Sequence, residues 1–124
     1  MTDFAFLHGG GQGSWVWEET IAAMNAQSGD DHRYLALDVP GCGVKRGRDT
    51  DAIGFDDIIT ELSADVSAAD FSNVVLIGHS QAGTVLPRMC DAAPGLFARL
   101  IHVSTIAPDP GVDVIEMSAR RMTA

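Results

Sequence analysis

The sequence predicts an α/β fold with a parallel, doubly wound sheet of about four strands and helices on both faces. Apolar strand candidates alternate with helix candidates along the chain, in the order β-α-β-α-β-α-β. The strand candidates are apolar on successive residues, which is typical of parallel strands buried on both faces. Because crossovers between parallel strands are right-handed, this pattern predicts a doubly wound sheet.

Four segments have the composition of buried strands, and each is followed by a turn signal. They are DFAFLH (3–8), RYLALDVPG (33–41), NVVLIGH (73–79) and RLIHVSTIAP (99–108). The last one is apolar on both faces, as an interior strand would be. Since soluble proteins avoid exposed apolar edges, we expect later strands of the sheet, or a second chain, to cover the strand at 99–106.

Helical spacing of apolar residues predicts three helices between these strands. They are SWVWEETIAAMNAQ (14–27), FDDIITELSADVSAAD (55–70) and AGTVLPRMCDAA (82–93). Ser14 is a predicted N-cap of the first helix, with Glu18 and Glu19 near its start. Pro87 lacks an amide donor, so the third helix should either kink or begin late. Residues 109–124 are weakly helical in pattern.

Composition excludes several classes of partner. The chain has 124 residues, 46% of them hydrophobic, which suits one globular domain. With 17 acidic and 8 basic residues its net charge is −9, so it lacks the basic surface that nucleic acid requires. Neither a signal peptide nor a membrane span is predicted, and the two cysteines, Cys42 and Cys90, read as free thiols. We therefore expect a cytoplasmic protein.

The third strand candidate runs into GHSQAG, residues 78–83, which has the pattern of a nucleophile elbow. Such a turn holds a serine, here Ser80, with its hydroxyl above the sheet. Small residues are needed two positions before and after it, because strand and helix pass close together. Gly78 meets the first requirement, and Ala82 departs from the usual glycine by one methyl group. The N–H of Gln81 would then point at a developing oxyanion.

The first strand candidate ends in HGGGQG, residues 8–13, whose glycines allow a backbone to approach a substrate closely. A second oxyanion donor is expected from this loop. By position the N–H of Gly10 is favoured, with Gly9 or Gly11 as alternatives. Gly9, Gly11 and His79 are further candidates for contact with a substrate. No metal ligands and no organic cofactor are predicted.

Four segments in order, FLHGGGQGSWVWEETI, LALDVPGCG, VVLIGHSQAG and RLIHVSTIAPD, resemble the α/β-hydrolase fold. They are most similar to its compact branch of plant methylesterases, hydroxynitrile lyases and related bacterial esterases. The resemblance implies a serine carboxylester hydrolase of small-molecule esters, with Ser80 forming an acyl-enzyme and Gly10 and Gln81 as oxyanion hole. It also implies an incomplete fold: residues 1–109 match the N-terminal half of the core and 110–124 the start of a cap, while later strands and most of the cap are missing.

A serine hydroxyl needs an adjacent base, and the sequence offers no convincing one. His102 lies within a strand candidate and reads as a packed, hydrogen-bonded histidine. His8 is expected to brace the glycine loop, and Asp38 to order the Pro-Gly turn after the second strand. The triad acid and histidine are therefore expected outside this sequence, and the 124 residues alone are expected to be inactive.

Three other functions fit parts of the pattern. A hydrolase-like receptor would keep the pocket and bind a small molecule without turnover. A hydroxynitrile lyase would cleave cyanohydrins, but such members of the branch place a hydroxyl side chain where this sequence has Gly9. A flavodoxin-like domain could bind phosphate at HGGGQG, although its glycines do not match G-x-G-x-x-G.

Overall fold

Four parallel strands form the sheet of the computed structural model, which describes residues 1–107. The strands are β1 (Asp3–Leu7), β2 (Arg33–Leu37), β3 (Val74–His79) and β4 (Phe97–Val103). The helices are α1 (Glu18–Ser28), α2 (Phe55–Ala68) and α3 (Leu86–Ala92). This arrangement confirms the predicted α/β class, its parallel sheet and its alternating element order.

The strand order β2-β1-β3-β4 places β1 and β3 side by side at the centre of the sheet. Phe6 pairs with Ile77, and Leu7 pairs with Gly78. The carboxyl ends of β1 and β3 are thus at the same level, and the segments that follow them begin next to each other. The glycine loop and the turn at Ser80 therefore meet at one edge of the sheet.

The core lies on both faces of the sheet because successive strand residues point in opposite directions. One cluster joins alternate residues of β1 and β3 to the inner sides of α2 and α3, including Leu62 and Leu86, both fully buried. On the other face, Phe6, Trp17 and Ile77 pack together with partly buried residues of α1. The helices thus cover both faces of the central strands, as in a doubly wound sheet.

Strand β4 forms one edge of the described sheet, and most of its side chains are exposed. Ile101 and Val103 keep 39% and 42% of their accessible surface although both are β-branched and apolar. β4 thus has apolar side chains that the described part of the sheet leaves exposed. The strand begins at Phe97, two residues before the predicted start at Arg99. What covers it stays a prediction.

Two local expectations have clear outcomes. Pro87 is the second residue of α3, which follows a 3₁₀ turn at Ser80–Thr84, so the predicted late start is confirmed. The predicted N-cap at Ser14 is wrong. Ser14 begins a 3₁₀ helix, and its own N–H donates to Asp38 Oδ1 at 2.7 Å. A carboxylate from the loop after β2 thus does the capping that a local serine was expected to do.

The segment 110–124, expected to begin a cap, lies outside the described residues. Within residues 1–107, no helix combines the length and the apolar character needed to cross a membrane.

Candidate active site

Ser80 is held in a left-handed backbone conformation at the end of β3, with φ of +55°. For a residue with a Cβ atom this conformation costs roughly 1–2 kcal/mol. Such strain persists only where the surrounding structure enforces it, and it is concentrated at functional sites. The backbone at Ser80 therefore has the geometry that a nucleophile elbow requires.

Close packing around the elbow explains its small residues. A Cβ atom on Gly78 would lie 2.6 Å from Leu86 Cδ1 and 3.0 Å from Ala82 Cβ. Ala82 itself is 2% exposed and belongs to the core. Its methyl group is accommodated because residue 78 has no side chain, so the departure from G-x-S-x-G does not disturb the turn.

Gly83, rather than residue 82, is the position where no side chain fits. A Cβ atom there would overlap the carbonyl oxygen of Ile106, in the segment that follows β4. The same segment bonds to the elbow, because the Ile106 N–H donates to the Ser80 carbonyl at 3.1 Å. The strained turn is thus held from the β4 side as well as by β3 and α3.

His8 braces the glycine loop and is buried, with 3% exposure. The Val39 N–H can only donate, so His8 Nε2, 3.1 Å away, must accept. The Gly9 carbonyl can only accept, so His8 Nδ1 must donate to it at 2.7 Å. Both nitrogens of the imidazole are therefore occupied. It connects the loops after β1 and β2 and is not available as a base.

Gly9 is fixed by Gln12, a contact that sequence reasoning did not find. The Gly9 N–H donates to Gln12 Oε1 at 3.0 Å, and the Gln12 N–H donates to the Gly9 carbonyl at 3.3 Å. Gly9 also faces the elbow, since a Cβ atom on it would lie 3.1 Å from Ser80 Cβ. Because its N–H is already bonded, Gly9 is not a free donor for an oxyanion.

Gly10 and Gln81 come together across the two loops. A Cβ atom on Gly10 would overlap Gln81 Oε1, so the glutamine side chain lies directly over this glycine. Gln81 is the second residue of its 3₁₀ turn, where backbone N–H groups have no partner within the turn. Within residues 1–107, the Gly10 N–H also forms no backbone hydrogen bond outside helices and strands. The two residues favoured from the sequence are thus in contact across the loops, through the Gln81 side chain.

The remaining predicted site residues lie around these two loops. Gly9, Gly10, Gly11 and Gln81 line a cleft, whereas Ser80 is half-buried beside it. His79 is half-buried, and its Nδ1 would be 3.6 Å from a Cβ atom on Gly9.

No base for Ser80 is found among the described residues, none of which hydrogen-bonds its hydroxyl through an imidazole or carboxylate. The Asp38 carboxylate is buried and accepts the Ser14 N–H, in keeping with a role in ordering its loop. His102 is hydrogen-bonded to Thr105 Oγ1 at 2.9 Å, but the expectation of a packed histidine is wrong, because its side chain is exposed on the edge strand.

An ion cluster holds the loop after β2 against α2, and nothing in the local sequence pattern indicates it. Lys45 Nζ lies 2.7 Å from Glu61 and 2.6 Å from Asp65, and Arg48 lies 2.6 Å from Glu61. Burial opposes the charge on Lys45, but its two carboxylate partners outweigh this effect and raise the pKa of the ammonium group. The loop 42–48 is therefore held by ion pairs against the second and third turns of α2.

A strained serine after a central parallel strand, beside a glycine loop from the neighbouring strand, is the arrangement of α/β hydrolases. The chain belongs to the alpha/beta hydrolase family, whose sequence profile matches residues 4–124. It is similar to the probable esterase PIR7A of Oryza sativa, with 32% identity over 110 residues, covering 87% of this chain and 40% of the relative.

Two further relatives belong to the same branch. Methylesterase 8 of Arabidopsis thaliana is 29% identical over 107 residues, which cover 86% of this chain and 38% of that protein. The crystal structure of polyneuridine aldehyde esterase superposes with a TM-score of 0.78 at 25% identity, over 100% of this chain and 48% of the other. The resemblance to the methylesterase branch is confirmed, and the chain spans less than half the length of these relatives.

Proposed function

We propose that this chain carries the nucleophile and oxyanion hole of a serine hydrolase that cleaves carboxylic esters of small molecules. The observation that carries the proposal is the left-handed Ser80 after β3, which lies against Gly9 of the glycine loop, where the Gln81 side chain covers Gly10. Relatives named as esterases and methylesterases support ester hydrolysis over the receptor, lyase and phosphate-binding alternatives.

In this proposal Ser80 Oγ attacks the ester carbonyl carbon and loses its proton to a base. The carbonyl oxygen becomes an oxyanion that accepts hydrogen bonds from the Gly10 and Gln81 amides. Collapse of this intermediate breaks the bond to the alcohol, which leaves with the proton from the base, and the acyl group stays on Ser80. Water then attacks the acyl-enzyme and releases the acid. The step needs only these groups and a base.

The base and its acid come from outside residues 1–107 in this proposal. We assign residues 1–109 to the N-terminal half of the hydrolase core and 110–124 to the start of its cap. Further strands, or a second chain, would extend the sheet at β4 and cover its exposed apolar side chains. Support comes from the relatives, of which the chain spans about two fifths in length.

Covalent labelling of the full-length gene product with a fluorophosphonate tests the nucleophile. The adduct should appear on the tryptic peptide 49–88, which contains Ser80. Ser80→Ala should abolish labelling. Ser67→Ala, an exposed serine of α2 in the same peptide, should leave it unchanged. A folded protein that stays unlabelled with Ser80 intact would contradict the assignment.

A further inference from the structure

A cleft of about 220 Å³ opens beside the glycine loop, on the side away from β4. One wall consists of the loops after β1 and β2, and the other of the elbow and the start of α2. Its apolar lining includes Val39, Cys42, Phe55, Ile58 and Val85. Gly10 and Gln81 belong to the same lining, so the two proposed oxyanion donors border the cleft.

The apolar stripe of α2 divides between the core and this cleft. Ile59 and Leu62 are buried in the core, Ile58 is partly buried against the core and also lines the cleft, and Phe55 lines the cleft. Phe55 keeps 43% of its surface exposed and lines the cleft. This part of the stripe is therefore free to contact an apolar ligand.

The size and chemistry of the cleft limit what it can hold. An engineered apolar cavity of about 150 Å³ is known to bind benzene, so 220 Å³ accommodates a ring or a short chain. The lining contains no carboxylate, ammonium or guanidinium group, and both nitrogens of His8 are already bonded. The lining thus offers a charged group no ionic partner, which favours an uncharged ligand.

The topology indicates which part of an ester faces the cleft. With the carbonyl oxygen on the Gly10 and Gln81 amides, the acyl and alcohol parts extend in different directions. The proposed function places the further strands beside β4, whose apolar side chains are exposed. The base that follows those strands would then approach Ser80 from the β4 side, and the alcohol, which takes its proton from that base, would leave on the same side.

We infer that this cleft binds the acyl group of the substrate, and that this group is an uncharged hydrocarbon of about six to eight carbons, such as a phenyl ring or a short alkyl chain. The inference rests on the proposed ester hydrolysis for its chemical meaning. The walls are held in place beforehand, because Lys45 and Arg48 tie the loop that bears Cys42 to α2.

Cys42 allows the binding step to be measured without hydrolysis. Within residues 1–124 of a Cys90→Ala variant it is the only thiol, and its reaction with the neutral reagent 4,4′-dithiodipyridine, followed on the tryptic peptide 34–45 of the full-length gene product, reports access to the cleft. Hexanamide, a non-hydrolysable acyl analogue, should slow this reaction saturably. Acetamide has four fewer methylene groups, so its half-saturating concentration should be between about 10-fold and about 200-fold higher, depending on how fully the chain is buried.

A filling variant provides the matched control. Ile58→Phe should abolish protection by hexanamide, whereas Ile58→Val should retain it. If Ile58→Phe does not fold, the comparison of hexanamide with acetamide in the Cys90→Ala variant still tests whether the cleft binds the hydrocarbon chain. Equal reaction rates of Cys42 with and without hexanamide, in a chain shown to be folded by circular dichroism, would overturn the inference.

The acyl assignment has its own measurement in the full-length gene product. Ile58→Phe should lower the ratio of kcat/KM for hexanoate esters to that for acetate esters. A change in selectivity among alcohols instead would place the alcohol in the cleft and overturn the assignment. Protection that persists in Ser80→Ala, with no fluorophosphonate labelling of the wild type, would contradict ester chemistry but support the apolar site. Labelling without protection would contradict the cleft alone.

Discussion

The strained backbone at Ser80 predicts that glycine is a more stabilising replacement for this serine than alanine. Both Ser80→Gly and Ser80→Ala remove the hydroxyl group, so the two variants differ only in the Cβ atom. Alanine keeps the clash that a Cβ atom suffers at a φ of +55°. Glycine has no such clash and adopts this conformation freely.

The expected difference follows from two opposing contributions. Relief of the left-handed conformation favours glycine by roughly 1–2 kcal/mol. The greater freedom of glycine in the unfolded chain opposes this by roughly 0.5–1 kcal/mol. Ser80→Gly should therefore exceed Ser80→Ala in free energy of unfolding by roughly 0–1.5 kcal/mol, with a central value of about 0.75 kcal/mol.

Urea unfolding, followed by far-UV circular dichroism at pH 7, measures this difference from midpoints and slopes. The matched control is Ala64→Gly at an exposed position within α2. There glycine should lower the free energy of unfolding by about 1 kcal/mol relative to alanine. If Ser80→Gly is less stable than Ser80→Ala by a similar margin, the left-handed strain is absent and the reasoning is refuted.

Three further substitutions test other contacts. Arg33 hydrogen-bonds Asp3 and lowers the pKa of that carboxyl, so its stabilisation is present above about pH 4 and is lost as the pH falls through the lower folded value. Urea titrations from pH 7 downward should show this loss in the wild type and not in Asp3→Asn. Gln12→Ala frees the Gly9 N–H and should slow fluorophosphonate labelling by about 10-fold, and an unchanged labelling rate would contradict a positioning role. Gly83→Ala forces a Cβ atom onto a backbone carbonyl and should destabilise the chain by about 1–3 kcal/mol, and equal unfolding midpoints would show that the turn yields instead.

Much of the architecture could be predicted because it depends on local pattern. Each apolar run became a strand of the parallel sheet, and of the two alternatives that Pro87 indicated, a kink or a late start, α3 has the late start. The adjacency of Gly10 and Gln81 also followed, since neighbouring parallel strands bring their carboxyl ends together. These inferences require only hydrophobic periodicity and the rules of strand connection.

What could not be predicted depends on contacts between residues far apart in the chain. Asp38 caps the 3₁₀ helix at Ser14 across 24 positions, so a local N-cap rule chose the wrong acceptor. The helical pattern of apolar residues in α2 did not indicate that Phe55 lies outside the core and lines a cleft. Helical periodicity identifies the apolar face of a helix, but which part of that face meets the sheet depends on where neighbouring loops run.

The order of the strands also has a consequence for how the site comes into being. Gly10 and Gln81 are separated by about 70 residues along the chain, and closing a loop of that length costs roughly 4 kcal/mol of chain entropy. That cost is recovered only when β1 pairs with β3. Residues 10 and 81 therefore have no local precursor in the unfolded chain, and the proposed oxyanion site can form only together with the pairing of β1 and β3 at the centre of the sheet.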